Sequence, residues 1–74
     1  MTLAAESYKE FRTWEELEGY CKSVNLKIIP TEGKYCEVAK MVNENGAEMA
    51  YVTPRDKAYV SNLKDDTQWV MILE

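Results

Sequence analysis

One helix packed on an antiparallel sheet of four to six strands, mostly joined by hairpins, is the α+β architecture this sequence predicts, with residues 1–74 forming a single domain. Three observations predict it. Residues 13–25 carry helix-start and helix-stop signals around one stretch of 3.6-residue apolar spacing. Beyond residue 25 the apolar spacing shifts toward two. Asn45-Gly46 then separates two such stretches with the dipeptide that tight hairpins favour.

The elements follow in chain order. Glu6 to Phe11 reads as a first strand. Thr13 stands three residues before Glu16, the capping-box spacing, in which the Thr hydroxyl accepts from the Glu16 amide and the carboxylate reaches back to the Thr13 amide. Trp14, Leu17, Tyr20 or Cys21, and Val24 form one apolar stripe, so the spacing predicts a helix over Trp14–Val24. Lys22 suits the last turn and Asn25 the left-handed cap. Gly19 costs about 1 kcal/mol relative to alanine inside a helix.

Leu26–Ile29 reads as a strand closed by Pro30 and the turn-like Thr31-Glu32-Gly33. Tyr35–Val42 and Ala47–Val52 form a hairpin around a type I′ turn at Asn45-Gly46. Met49 and Tyr51 share one face; Glu48, Ala50 and Val52 share the other. Residues 53–62 admit two readings. Thr53-Pro54-Arg55-Asp56 is either a turn leading to a strand at Ala58-Tyr59-Val60, the favoured reading, or a helix start with Thr53 as cap. Lys64-Asp65-Asp66-Thr67 is a polar turn. Gln68–Leu73 is apolar on both faces, as expected of an interior strand.

Composition narrows the function. Apolar residues make up 46% and charged residues 30%, as in a folded globule. A chain of this length buries about 60% of its unfolded surface and holds about 4–10 kcal/mol of net stability, which favours a surface site over a deep pocket. The net charge of −4 opposes binding to a phosphate backbone. Residues 1–7 lack the basic and apolar regions of a signal peptide, and the longest apolar run, Trp69–Leu73, is too short to span a bilayer. The expectation is a cytoplasmic protein with no membrane contact and both thiols, Cys21 and Cys36, reduced. Both cysteines read as small core residues; a bond between them requires Cα atoms within about 7 Å.

The chain contains no histidine. Imidazole-activated nucleophiles and imidazole metal ligands are therefore out of reach. The carboxylates of Glu15, Glu16, Glu18, Glu44, Glu48, Asp65 and Asp66 have local roles at a helix start, a hairpin rim and a turn, and Gly19, Gly33 and Gly46 make no phosphate-binding loop. No catalytic residue, cofactor or metal site is expected, and the chain reads as a non-enzyme.

Two functional readings remain. The first is an acidic protein-binding module, a regulator or inhibitor of a larger protein. Its contact residues are Glu15, Glu16 and Glu18 on the exposed helix face, together with Asp65 and Asp66. They would meet a basic, nucleic-acid-binding surface as a DNA mimic, in the manner of small phage-encoded inhibitors. An uncovered sheet edge offers a second route, to a partner strand or a homodimer. The alternative is single-stranded nucleic-acid binding by a sheet face bearing Tyr35, Tyr51 and Tyr59 with the scattered lysines, a reading that requires Lys27, Lys40, Lys57 and Lys64 to gather on one sheet face.

Overall fold

A computed structural model describes residues 8–33, 36–58, 60 and 62–73. The elements run β1 (Tyr8–Phe11), α1 (Trp14–Ser23), β2 (Lys27–Pro30), β3 (Ala39–Val42), β4 (Glu48–Pro54) and β5 (Trp69–Leu73), with a 3-10 turn at Arg55–Lys57. One helix packs on a five-stranded sheet of order β1-β5-β4-β3-β2, antiparallel at every pairing. The α+β expectation is met. β1 and β2 are the two edges, so α1, which connects them, must cross the whole sheet. This crossing is what gives one face of the sheet a lid.

The helix forms where local chemistry dictates. Thr13 is extended, and its hydroxyl accepts from the Glu16 amide at 3.1 Å. The Glu16 carboxylate reaches the Arg12 amide at 3.3 Å rather than the Thr13 amide expected of a capping box, because it also grips the Arg12 guanidinium at 2.9 Å. At the other end Asn25 takes φ 60°. The Leu26 amide donates to Cys21 O at 2.8 Å and the Asn25 amide to Lys22 O at 3.3 Å. That pair of bonds is a Schellman cap. The helix therefore stops at Ser23, and Val24, expected on the buried stripe, is the exposed C-cap residue.

The buried stripe is Leu17 and Cys21, with Trp14 and Tyr20 packed at its margins. It rests on Phe11, Met41, Ala50, Val52 and Met71 from four strands. Trp14 meets Trp69 edge-on at 4.9 Å between centroids, and Tyr20 covers Phe11 at 5.8 Å. Gly19 lies on the exposed side of α1, and a Cβ placed there meets nothing within 4 Å. No close packing requires this glycine. Replacing it with alanine is expected to raise stability by about 0.5–1 kcal/mol through helix propensity. Urea unfolding of Gly19→Ala checks this, and a loss of stability would contradict the open surroundings of residue 19.

The described part of the expected first strand, Tyr8–Phe11, is a strand; Glu6 and Ser7 lie outside the described residues. The other strands depart from expectation in three places. β3 starts at Ala39, because Cys36 adopts φ 72° and cannot continue a ladder. Cys36 is thereby exposed rather than a core residue, whereas Cys21 is buried, and both are free thiols. The Asn45-Gly46 hairpin does form, but only Gly46 takes positive φ, at 82°. The Gly46 amide donates to Asn43 O and the Asn43 amide to Ala47 O, each at 3.0 Å. This is a three-residue loop closed by a left-handed glycine, not a type I′ turn. The Asn43 side chain selects it, since its Oδ1 accepts from the amides of Asn45 and Ala47.

The third departure concerns residues 53–62. β4 runs on through Pro54, and the 3-10 turn at Arg55–Lys57 follows. Ala58 and Val60 are not in a strand, and Tyr59 lies outside the described residues. The final strand behaves as read. β5 sits between β1 and β4, and Val70, Met71 and Ile72 are all buried.

Candidate functional site

Five acidic residues were singled out on α1 and in the turn before β5, and the fold brings the two elements together. Arg12, in the bend between β1 and α1, pairs with Glu16 at 2.9 Å and lies 3.8 Å from Asp66. A depression between them is lined by Glu10, Arg12, Glu16, Lys64, Asp66 and Thr67. Arg12 was not among the expected site residues. Its spacing of four from Glu16 is the only local signal of this role. The pairing holds the Glu16 carboxyl below its ordinary pKa, first through the side-chain hydrogen bond and then through the Arg12 amide.

The other acidic residues remain available. Glu15 and Glu18 are exposed and form no ion pair among the described residues; Glu18 accepts the Trp14 indole N–H at 3.1 Å. Asp65 is exposed in the turn, and its side chain likewise has no ion pair among the described residues. The acidic surface thus has a partly neutralised centre at Arg12, with Glu15, Glu18 and Asp65 around it in no ion pair among the described residues.

On the β2 side of α1 runs a groove. Its wall carries Glu15, Glu18, Gly19 and Lys22, and its floor carries Leu26, Ile28 and the edge of Cys21. Residues 15, 18, 19 and 22 follow i, i+3, i+4, i+7 spacing, so they line one side of the helix. Burial, with a smaller contribution from Glu18, pushes the Cys21 thiol pKa up. The thiol stays protonated and serves packing rather than nucleophilic chemistry.

The opposite sheet face holds the tyrosine site. The registers place Tyr8, Ile72, Tyr51, Lys40 and Ile29 in one row across β1, β5, β4, β3 and β2. Lys27 lies on the same face, paired with Val42. Met41 pairs with Ala50 and Val42 with Glu48, so β4 bulges by one residue at Met49. The bulge lets Glu48 reach Lys40 at 3.2 Å. Of the three tyrosines singled out, Tyr51 is on this face, and Tyr35 and Tyr59 lie outside the described residues. Lys57 belongs to the 3-10 turn, and the Lys64 amide approaches this face through Glu10.

The β2 edge is a poor template for strand addition. The Thr31 amide donates to Val38 O at 3.2 Å, one step beyond the Pro30–Ala39 pair. By alternation, Ile29 and Lys27 also turn their N–H groups inward, while Ile28 and Pro30 face outward. Proline has no N–H, so the outer edge of β2 offers a single strand donor, at Ile28.

Among the described residues no group of three or more Cys, Asp and Glu side chains could hold a metal ion. No helix of the described residues is long and apolar enough to cross a membrane. No protein-family model matches the chain, and neither a curated protein nor a solved structure matches it.

Proposed function

We propose that this chain is a non-catalytic protein-binding module, a regulator or inhibitor of a larger protein, and that its acidic helix side meets a basic surface of that partner. The observation that carries the reading is adjacency. Arg12 touches Glu16 and approaches Asp66, so the acidic helix and the acidic turn form one continuous surface. Glu15, Glu18 and Asp65, in no ion pair among the described residues, add their charge to it. A basic partner of the nucleic-acid-processing kind suits this surface as it suits a DNA mimic. Rim charges of this kind act mainly on association rate and salt dependence.

The test uses the tagged chain to retain a protein from the lysate of its native host, followed by affinity measurements on the purified pair. The double variant Glu15→Lys/Glu18→Lys leaves the Arg12–Glu16 pair and the Thr13 cap in place. It is expected to weaken binding at least tenfold at low salt, with the difference shrinking as salt screens the charges. Circular dichroism checks that the helix survives. Unchanged affinity in a folded variant would discard the acidic surface.

The alternative, single-stranded nucleic acid on the tyrosine face, has the row of Tyr8, Tyr51 and Lys40 in its favour. Against it stand the net charge of −4 and the engagement of Lys40 by Glu48. Retention of nucleic acid alone from the same lysate, lost steeply with salt, would reverse this preference.

A further inference from the structure

We propose that the groove between α1 and β2 takes a partner segment that places a large apolar side chain opposite Gly19 and a basic side chain between Glu15 and Glu18. This rests on the protein-binding reading above and names the chemistry of the segment bound. Two independent features point to it.

The first is the glycine. Helix interiors disfavour glycine, and natural sequences break local rules mostly where function requires it. Here a Cβ would meet nothing within 4 Å, so packing within the chain does not explain the choice. Gly19 stands in the middle of the groove wall, where any larger side chain would narrow the opening over Leu26 and Ile28. Both floor residues are half-buried, packed against the core on one side and facing the groove on the other. A large apolar side chain seated there would remove their remaining surface from water.

The second is the order of charge along the wall. Two carboxylates, Glu15 and Glu18, lie toward the helix start, and Lys22 lies at the other end. A basic side chain is attracted at the Glu15–Glu18 end and repelled at the Lys22 end. The bound segment therefore has one orientation, with its basic residue toward the start of α1. The acidic surface attracts the partner over long range, and the groove selects which segment of it docks.

The experiment titrates the full-length, nitrogen-15-labelled chain with three capped pentapeptides, Gly-Arg-Leu-Gly-Gly, Gly-Glu-Leu-Gly-Gly and Gly-Arg-Gly-Gly-Gly. The Arg-Leu peptide is expected to shift the amides of Gly19, Lys22, Leu26 and Ile28 saturably, and the other two to bind at least fivefold more weakly. Gly19→Trp should abolish these shifts and Gly19→Ala weaken them; Gly19→Gln is the second blocking variant should Gly19→Trp not fold. Absent shifts, shifts confined to other surfaces, equal binding of the three peptides, or insensitivity to a folded blocking variant would each overturn the groove assignment. With the captured protein partner, full affinity of Gly19→Trp alongside weakened Glu15→Lys/Glu18→Lys overturns the groove and spares the wider reading. Full affinity of both variants removes the groove and the acidic surface together.

Discussion

Truncating Leu17 to alanine is expected to cost about 3 kcal/mol, within the range of about 2–5 kcal/mol seen when a fully buried leucine is cut back. Leu17 is 0% exposed and stands at the middle of α1, over Met41, Ala50, Val52 and Met71. Those neighbours belong to the interior of the sheet, where closely paired backbones cannot collapse to fill a void. Against a total of about 4–10 kcal/mol for a domain this size, the loss takes a large share, and the thermal midpoint should fall by at least 10 °C. Val24→Ala is the control. Residue 24 sits on the same helical spacing as Leu17 but is 43% exposed, so its truncation should change stability by no more than about 0.5 kcal/mol. Equal losses at the two positions, measured by urea unfolding, would mean that α1 packs through a different face.

This contrast also marks how far the sequence could be read. The helix was legible to within a residue because its signals are local. Thr13, Glu16, Lys22 and Asn25 each act within one turn of their own position. The exposure of Val24 was not legible, since the Schellman bonds to Cys21 and Lys22 rotate the chain away from the stripe one residue early. The interior place of β5 could be inferred from Val70, Met71 and Ile72, which leave no polar face for water. The strand order could not, because nothing in Tyr8–Phe11 specifies pairing with a strand some sixty residues on. The Asn43 hairpin was legible as a hairpin and misread as to type, for the Asn43 side chain outweighs the preference of Asn45 for positive φ.

The candidate site divides in the same way. Glu15, Glu16 and Glu18 were visible as one acidic helix start, and Asp65 with Asp66 as one acidic turn. Their adjacency was not visible, because it depends on Arg12 reaching from the bend after β1 to both elements. Gly19 was visible only as an unfavourable helix residue. The empty space around it is a tertiary fact, set by how α1 lies against β2.

Lowering the pH should loosen the acidic turn before the core, because a titratable carboxylate helps to hold it. Glu10 on β1 faces away from α1, and its Oε1 accepts from the Thr67 hydroxyl at 2.6 Å and the Lys64 amide at 2.8 Å. Arg55 completes the clamp, since its Nη1 donates to the carbonyls of Lys64, Asp65 and Thr67 at 2.6, 3.0 and 3.2 Å. The Thr67 hydrogen bond foremost, then the Lys64 amide, lowers the Glu10 pKa, with lesser help from the charges of Lys64 and Arg55 and against a desolvation cost. A folded pKa below the unfolded value of about 4.3 means that this contribution is complete above that value. It is lost as pH falls through the folded pKa. Glu10→Gln keeps an oxygen acceptor without the charge, so it should be less stable than the parent by about 1 kcal/mol at pH 7. The gap should close as the pH falls through the folded pKa of Glu10, where the parent's carboxyl becomes neutral as well. Glu16 also has a lowered pKa, so the parent's acid loss alone is ambiguous, and the difference between the two chains isolates Glu10. Glu10→Ala goes further, leaving the buried Thr67 hydroxyl without its acceptor at a cost of about 1–3 kcal/mol. Parallel stability curves for the parent and Glu10→Gln from pH 7 to pH 3 would show that the clamp does not depend on charge. Closing curves, with Lys64 amide exchange rising first in acid, would tie the position of Asp65 and Asp66 to the ionisation of Glu10.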